Sequence, residues 1–251
     1  AMYLAKQAGR GTYRQVSRDR RQEMEREARL NTQLHTALEL GCGTAPHAGE
    51  LVNFGYHYAG IDLNRNMLDY AAYKWRDLRP SVSLIEADMN SFSLDELVDF
   101  AFVMLGSLYV GSHEEFRSHF DALGRTLRPG GLYFLDWCVQ FADPLTRRMH
   151  NTVVNEHRGV KVESTFTTSL VDPAGQMYEE VWCVTVDDRG RRRSFNMVAR
   201  NRAIFPQEFL LLVKSRPDFE FVGWWCDWDL DRPIAEGQLD VTRPVILLRR
   251  R

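Results

Sequence analysis

This chain of 251 residues contains few cysteines and no long apolar run. It also has no large excess of positive or negative charge. The four cysteines, Cys42, Cys138, Cys183 and Cys226, are far apart and form no C-x-x-C pair. This spacing argues against a zinc site or a disulfide framework, so we predict no bound metal and a reducing, cytoplasmic compartment. The first residues lack the apolar core of a secretory signal, and no apolar run is long enough to cross a bilayer, so no membrane partner is expected.

Basic residues are not in surplus, because the formal net charge is -2. A general nucleic-acid-binding surface needs clustered positive charge, so we predict no nucleic-acid partner. Hydrophobic residues make up 44% of the chain, which is enough for an ordinary globular core. The length suits one large α/β domain with room for an insertion.

Short apolar runs alternate with helical patterns over the first 150 residues. The predicted strands cover 37–40, 56–61, 82–87, 100–105 and 132–136, and the predicted helices cover 19–35, 45–54, 66–78 and 113–127. The pattern resumes near the end of the chain with a helix at 206–214 and strands at 219–225 and 244–248. Such alternation predicts a parallel sheet that is covered by helices on both faces.

The spacing of apolar residues changes between these two parts of the chain. Apolar and polar residues alternate over 160–170, 176–187 and 192–205, with turn-forming sequences at 172–175 and 188–190. We therefore predict a small antiparallel sheet inserted at 150–204 into a domain made of residues 1–149 and 205–251. An exposed edge of such a sheet favours a homodimer.

The strongest local pattern is the run Leu38 to Ala45, where a short strand enters a glycine-containing loop. Gly41 and Gly43 let the backbone adopt positive φ and approach a ligand closely. Glu39 lies at the end of this strand, where its carboxylate can meet an ammonium group. The strand end is therefore a candidate ligand site.

Two more acidic residues close the next two strands. Asp62 ends the second strand, where a carboxylate can accept hydrogen bonds from both hydroxyls of a ribose. Asp88 ends the third, where it can accept from an exocyclic amine while Met89 covers a flat ring. His47 occupies the third glycine position of a dinucleotide fingerprint and leaves no room for a pyrophosphate. A cofactor without phosphate and with a charged amino-acid tail fits this pattern better.

The runs ALELGCGTA, YAGIDLNRNMLDYA, EADM and LRPGGLYFLDW together resemble the class I S-adenosylmethionine (SAM) dependent methyltransferase family, over about residues 30–140. The resemblance implies an α/β fold with a Rossmann-like seven-stranded sheet, its last strand antiparallel, flanked by helices. With the predicted insertion, this becomes such a sheet with an inserted antiparallel β cap. SAM would be the cofactor and S-adenosylhomocysteine the product.

The resemblance also implies a set of cofactor contacts. Gly41 and Gly43 would lie against the methionine part of SAM, and Asp62 would bind the ribose. The whole cofactor-binding set implied is Tyr13, Glu39, Gly41, Cys42, Gly43, Asp62, Leu63, Met67, Asp88, Met89 and Leu105. One departure is Ala45, where many relatives have glycine, and it could narrow the loop.

A finer resemblance, carried by QAGRGTYRQ, the inserted strands and IFPQEFLLLV, is to small N-methyltransferases that act on amino sugars. It implies that a tyrosine-bearing N-terminal segment closes over the cofactor and that the inserted sheet covers the substrate. The loop 104–109 would face the acceptor, with Tyr109 as a catalytic residue that orients it. The remaining candidate substrate contacts are Tyr3, Ser107, Arg200 and Arg202.

These observations predict a methyltransferase with a small-molecule acceptor, with N-methylation favoured over O-methylation because no decisive base is visible. Candidate bases are His113, His119, His150 and His157, each more typical of a structural histidine. Trp224, Trp225 and Trp228 fit either core packing or an aromatic wall around an ammonium. Two alternatives stay open: a non-catalytic SAM-binding or dimerisation module, and a methyltransferase acting on RNA or protein.

Overall fold

The computed structural model describes residues 35–141 and 150–251. Tyr3, Tyr13 and all but the last residue of the predicted helix at 19–35 lie outside the described residues, so these remain predictions. None of the helices in the described part of the chain has the length and apolarity that a bilayer span requires.

The first part of the fold alternates strands and helices in the predicted order. Its strands are β1 (Thr36–Leu40), β2 (His57–Asp62), β3 (Val82–Glu86), β4 (Val98–Val103) and β5 (Leu127–Asp136). Its helices are α1 (Ala48–Asn53), α2 (Arg65–Lys74) and α3 (His113–Thr126). A 3-10 turn at Arg76–Ser81, which contains Pro80, follows α2, so this helix ends earlier than the predicted residue 78.

The end of the chain completes the same sheet. Helix α4 (Pro206–Lys214) leads into β10 (Phe219–Cys226), and β11 (Pro244–Arg250) closes the chain. The strand order is β10-β11-β5-β4-β1-β2-β3. The last strand, β11, runs antiparallel to both of its neighbours, whereas β1 to β5 pair in parallel. The predicted seven-stranded sheet with an antiparallel last strand is confirmed.

Apolar strands and amphipathic helices explain this arrangement. Leu38, Ile61 and Leu135 on the central strands are fully buried, as expected for a parallel sheet covered on both faces. Helix α3 packs Phe116 and Phe120 into the same core. Its N-cap, Ser112, accepts a hydrogen bond from the Glu115 amide, so the helix begins where the capping pattern indicates.

Strand β5 differs from the predicted strand, which began after the Pro129–Gly131 sequence. The strand begins at Leu127 and contains this sequence. Val98 pairs with Leu127, and Phe100 pairs with Leu132, so the register shifts by the length of the proline-glycine segment. The segment is thus an irregularity within the pairing and not the turn that precedes it.

The inserted sheet is a separate four-stranded antiparallel meander. It consists of β6 (His150–His157), β7 (Val160–Asp172), β8 (Met177–Asp188) and β9 (Arg191–Arg202). The last three were predicted, although β9 ends at Arg202 and not at 205. Strand β6 was missed because its sequence, HNTVVNEH, has no alternation of apolar and polar residues, and residues 151–157 are exposed along an edge.

Candidate active site

The loop between β1 and α1 needs glycine at two positions. Gly41 has φ +71° and Gly43 has φ +52°, a region that favours glycine. A Cβ at Gly41 would also lie only 2.9 Å from the Met89 methyl carbon. The Gly41 and Cys42 amides both donate to the Ile61 carbonyl at 2.9 Å, which holds the loop against the end of β2. The loop therefore lets a ligand approach the backbone at the carboxyl end of the sheet.

Asp62 stands at the centre of this end of the sheet. Its Oδ2 accepts from the Gly43 amide at 2.7 Å, and its Oδ1 accepts from the Asn64 amide at 2.7 Å. A carboxylate offers about four lone-pair sites, so each oxygen can accept one further hydrogen bond. The two backbone contacts hold the carboxylate and leave each oxygen able to accept a hydrogen bond from a ligand.

The segment after β3 brings an acceptor without a partner into the same site. Asp88 Oδ1 accepts from the Asn90 amide at 2.8 Å. The Asn90 side-chain nitrogen donates to the Tyr109 carbonyl at 2.9 Å, which leaves its Oδ1 pointing away from that carbonyl. Among the described residues, Asn90 Oδ1 is buried and has no hydrogen-bond partner. Since buried acceptors are almost always satisfied, this atom has room for an N–H or O–H donor from outside the protein.

These elements surround a cavity of about 500 Å³, within the range of cofactor and small-molecule sites. Its lining comprises Gly41, Ile61, Asp62, Leu63, Ala87, Asp88, Met89, Asn90, Ser107, Tyr109 and Glu115. Three of these residues are acidic, and no described lining residue is basic. The charge of the cavity therefore favours a cationic ligand and disfavours a phosphate.

Glu39 does not line this cavity. The Glu39 side chain is buried behind the glycine loop. Its Oε2 accepts from the Tyr58 hydroxyl at 2.5 Å, and its Oε1 lies 2.8 Å from His47 Nδ1. Burial, together with the Glu39 carboxylate, raises the pKa of Tyr58, so the phenol stays protonated as a donor. In this geometry Glu39 supports the loop from behind, and the bulky His47 is part of that support.

Two other residues of the loop face the core. The Cys42 sulfur packs against Gly60, where a Cβ would lie 2.8 Å from it, and burial raises the pKa of the Cys42 thiol to about 12. Ala45 has φ +49° and is fully buried, with its carbonyl accepting from the Trp75 indole at 2.8 Å. The side chains of Cys42 and Ala45 therefore belong to the buried core beside the loop, and neither residue is part of the cavity lining.

Two predicted apolar contacts lie outside the cavity lining. Leu63 lines it, but Met67 on α2 and Leu105 after β4 do not, and both are exposed. Leu105 has φ +58°, and its amide donates to Asp136 Oδ2 at 2.9 Å. The loop after β4 turns at this point, so it brings Ser107 and Tyr109 to the cavity instead of Leu105.

Tyr109 connects the cavity to the inserted sheet. Its hydroxyl donates to Glu180 Oε2 on β8 at 2.7 Å. Burial and the Glu180 carboxylate raise the pKa of Tyr109, and burial likewise raises the pKa of Glu180. Sequence reasoning missed Glu180 because it stands 71 residues from Tyr109, in a strand where charged residues are ordinary.

The two candidate substrate arginines lie in different environments, although their alternation along β9 predicts that they share one. Arg202 is buried, and its guanidinium donates to Glu208 at 2.5 Å and to Gln176 at 2.9 Å. Arg200 is exposed and pairs with Glu179 at 3.3 Å. Both charges already have acidic partners, and neither lines the cavity, so the proposal that they bind an acidic acceptor has no geometric basis.

The candidate histidine bases whose side chains the structure describes are either in contact with other protein groups or exposed away from the cavity. His119 is fully buried, with Nδ1 at 2.8 Å from the Met89 carbonyl and Nε2 at 2.7 Å from the Tyr133 hydroxyl. Burial lowers the pKa of His119 to about 4, so it stays neutral. His113 lies 3.1 Å from Glu208 beside Arg202, and His157 is exposed on β6. The side chain of His150 lies outside the described part of the chain.

The tryptophan cluster packs against other aromatic residues. Trp224 contacts Phe141 and Phe221 with ring centroids 5.0 Å away in each case. Trp228 lies 4.9 Å from Phe134, and its indole donates to Asp136 Oδ1 at 3.1 Å. Neither tryptophan lines the described cavity, so the packing interpretation fits them better than an aromatic wall.

Comparison with known proteins finds a family match over part of the chain. Residues 37–131 match the family described as a methyltransferase domain. Over 102 residues the chain is 28% identical to a cypemycin N-terminal methyltransferase from a Streptomyces species, an alignment that covers 40% of this chain and 41% of that protein. The chain thus aligns with less than half the length of this curated relative.

Solved structures extend the likeness to the whole fold. A SAM-dependent methyltransferase from Clostridium acetobutylicum gives a TM-score of 0.73 at 17% identity and covers 99% of this chain and 96% of its own. The SAM-bound amino pentose methyltransferase CalS10 from Micromonospora echinaspora gives 0.66 at 20% identity and covers 100% and 97%. The chain therefore has the fold of class I SAM-dependent methyltransferases, and residues 37–131 match a methyltransferase domain. At these identities the structures establish the fold and leave the acceptor open.

Proposed function

We propose that the protein transfers a methyl group from SAM to an amine on a small molecule. The observation that carries this proposal is the cavity at the carboxyl ends of β1 to β4. Asp62, Asp88 and Glu115 contribute three carboxylates to its lining, and the described lining contains no lysine, arginine or histidine. SAM carries a sulfonium, an ammonium and a carboxylate, so its net charge is positive and matches this cavity.

The residues present fit SAM part by part. Asp62 would accept from the ribose hydroxyls, and the Asn90 Oδ1 without a partner would accept from the adenine amine next to Asp88. Met89 would cover the adenine ring, and Gly41 leaves room for the methionine part. SAM supplies an activated methyl group, so the protein mainly has to orient the acceptor and exclude water. Such orientation is worth up to about 7–11 kcal/mol in well-aligned systems.

An amine fits the acceptor side of the cavity better than an acid. Tyr109 and Ser107 provide polar contacts there, and both candidate arginines are paired elsewhere. Two of the similar proteins, the amino pentose methyltransferase and the N-terminal methyltransferase, have names that refer to acceptors carrying an amine. A neutral amine needs no strong base for this reaction, which agrees with the absence of an available histidine base among the described residues.

The inserted sheet would serve as the acceptor cap. Strands β8 and β9 contact the loop after β4 through Glu180 and Asn201, next to the cavity. We assign residues 150–204 to this role and residues 1–149 and 205–251 to the SAM-binding domain. Closure by Tyr3 and Tyr13, a homodimer and a cytoplasmic location remain predictions.

Two measurements test the proposal. S-adenosylhomocysteine should raise the melting temperature, since a ligand that binds only the folded state stabilises it. Incubation with labelled SAM and a panel of amines, hydroxy acids, phenols and RNA should label the amines. No thermal shift with SAM or S-adenosylhomocysteine would refute the proposal at its base, whereas binding without any methylated product would favour a SAM-binding module.

A further inference from the structure

Hydrogen bonds tie the Tyr109 segment both to the parallel-sheet domain and to the inserted sheet. Asn201 on β9 accepts from the Val110 amide at 3.2 Å, and the Arg202 amide donates to the Val110 carbonyl at 3.1 Å. The Tyr109 carbonyl accepts from Asn90 at 2.9 Å. Its hydroxyl is bonded to Glu180 as well, so hydrogen bonds hold both the backbone and the side chain of this cavity residue. Such fixed polar groups are typical of sites that orient a reactant.

The direction of the Tyr109–Glu180 bond decides which groups the Tyr109 oxygen can bind. The hydroxyl proton is committed to the Glu180 carboxylate at 2.7 Å, so the phenol oxygen presents only lone pairs elsewhere. An incoming group must then donate a hydrogen bond to Tyr109. An amine or ammonium does so readily, and a carboxylate or phosphate does not.

The charge behind Tyr109 is not neutralised by a basic residue. Glu180 is partly buried, and no described lysine, arginine or histidine forms an ion pair with it. The titratable groups that face it are Tyr109 from the loop and Tyr178 on the same strand, both protonated because burial raises the pKa of each. Thr168 on β7 and Ala199 on β9 stand opposite it, and both are uncharged. A cationic acceptor would complete the pair.

We propose that Glu180, acting through Tyr109, binds the acceptor in its ammonium form and removes the proton that blocks the nitrogen lone pair. This inference rests on the proposed function and deepens it. As the ammonium N–H proton moves to the Tyr109 oxygen, the Tyr109 proton moves to Glu180 Oε2. One proton is transferred in total, the amine and the carboxylate both become neutral, and the nitrogen lone pair is free to form the N–CH₃ bond as the S–CH₃ bond of SAM breaks. The proton on Glu180 later leaves to solvent.

Burial supports this role for Glu180. A buried carboxylate holds a proton more readily than an exposed one, and burial raises the pKa of Glu180. The carboxylate is therefore a better proton acceptor for an ammonium than an ordinary surface glutamate. Glu179, the preceding residue, points to the other face of the sheet and pairs with the exposed Arg200. It offers a matched control.

The test is the pH profile of Glu180→Gln, which keeps an oxygen to accept from Tyr109 but has no charge. The acceptor is the amine of the panel that is methylated fastest. Wild type should show a flat kcat/KM between the pKa of Glu180 and that of the amine. The variant must use free amine, so its kcat/KM should rise about tenfold per pH unit and lie about 100-fold below wild type two units under the amine pKa, the low end of general acid–base effects. Glu179→Gln should follow wild type.

A second measurement does not depend on turnover. Calorimetry of the same amine binding to the protein loaded with S-adenosylhomocysteine, in two buffers of different ionisation enthalpy, counts released protons. Wild type should release none, and Glu180→Gln should release about one per bound amine, because only the neutral form then binds. Tyr109→Phe should resemble Glu180→Gln in its pH profile.

The outcomes separate the two proposals. Parallel pH profiles for wild type and Glu180→Gln, with equal proton release, would show that the pair only fastens the inserted sheet. Binding of S-adenosylhomocysteine without binding of any amine would overturn the amine inference and leave the cofactor site standing. Failure to bind S-adenosylhomocysteine would overturn the proposed function itself.

Discussion

The cavity has two halves, one proposed above for the cofactor and one for the acceptor, and they are built in different ways. The cofactor half consists of the glycine loop, Asp62 and the segment after β3, each directly following a strand of the parallel sheet. The acceptor half joins the loop after β4 to the inserted sheet through the Tyr109–Glu180 bond, across 71 residues. The first half depends on backbone geometry near each residue, whereas the second depends on side chains that only the complete fold brings together.

This difference explains which residues of the cavity can be substituted without loss of the fold. A glycine with positive φ or an acid that accepts from two backbone amides cannot be replaced without disturbing the loop. A pair such as Tyr109 and Glu180 can be altered without moving a strand end. The cofactor half is therefore the constant part of the site and the acceptor half is its adjustable part.

Asp62 tests the cofactor half and should give the largest effect. Asp62→Ala removes a carboxylate that accepts from the Gly43 and Asn64 amides and would accept from both ribose hydroxyls. Hydrogen bonds to a charged group contribute about 1.5–3 kcal/mol each, so two lost ligand bonds should weaken S-adenosylhomocysteine binding by about 10²- to 10⁴-fold. Isothermal titration calorimetry measures the affinity.

The control for this variant is Asp69→Ala. Asp69 lies nearby on α2, is exposed, and pairs with Arg65 at 2.9 Å. Its loss should leave the affinity within about twofold of wild type, because exposed ion pairs contribute little. An Asp62→Ala protein that binds S-adenosylhomocysteine as tightly as wild type would contradict the ribose assignment.

Arg202 and Arg200 sharpen the comparison inside the inserted sheet. Arg202→Ala leaves Glu208 without its guanidinium partner in a site where Arg202 is buried, so unfolding should require about 3–5 kcal/mol less free energy. Arg200→Ala removes a mostly exposed partner of Glu179 and should cost less than about 1 kcal/mol. Urea denaturation measures both.

A further variant distinguishes a structural role of Arg202 from a role in substrate binding. Arg202→Met combined with Glu208→Leu removes both charges and should recover most of the lost stability. If Arg202→Ala were as stable as wild type and lost only acceptor binding, the original substrate assignment would be restored.

Most of the parallel sheet was predictable because each of its strands is a short apolar run between turn-forming residues. Asp62 and Asp88 were recognisable for the same local reason, since each follows such a run. Strand β6 escaped prediction because an exposed edge strand needs no apolar face. The proline-glycine segment in β5 predicts a turn before the strand because its local signal is that of a turn.

The acceptor half escaped prediction for a different reason. Arg200 and Arg202 share one side of the strand by alternation, yet only Arg202 is near α4, where Glu208 meets it. The alternation shows which residues share a face and says nothing of what packs on it. Glu180 carries no local signal at all, so its pairing with Tyr109 could be found only in the folded chain.

His119 links the cofactor half to the pH dependence of stability. The Met89 carbonyl can only accept, so Nδ1 donates to it, and Nε2 accepts from the Tyr133 hydroxyl. Burial lowers the pKa of His119 to about 4 from 6.5, so the unfolded chain binds a proton that the folded chain refuses. Stability should be unaffected by this group above pH 6.5 and should fall by up to about 3 kcal/mol as the pH drops from 6.5 to 4.

The measurement is the urea unfolding free energy across that pH range. His119→Gln offers both a donor and an acceptor without a comparable protonation, so its stability should fall less steeply than that of wild type. His157→Gln, at an exposed position on β6, should keep the wild-type slope. Equal slopes for wild type and His119→Gln would show that acid sensitivity arises elsewhere.

Ala45→Gly should give the smallest effect and tests whether the loop's core side matters to the ligand. Glycine relieves the positive φ of +49°, which is unfavourable by about 1–2 kcal/mol for other residues. The change also removes a buried methyl group, worth about 0.8 kcal/mol, and makes the unfolded chain more flexible. These terms oppose each other, so the unfolding free energy should change by less than about 1 kcal/mol. Because Ala45 belongs to a buried core cluster and does not line the cavity, S-adenosylhomocysteine affinity should stay within about twofold. Gly41→Ala, which places a Cβ 2.9 Å from Met89 at the cavity, should instead weaken it by about tenfold or more. Equal effects of the two variants on affinity would mean that the loop moves as one unit and that its two sides cannot be told apart.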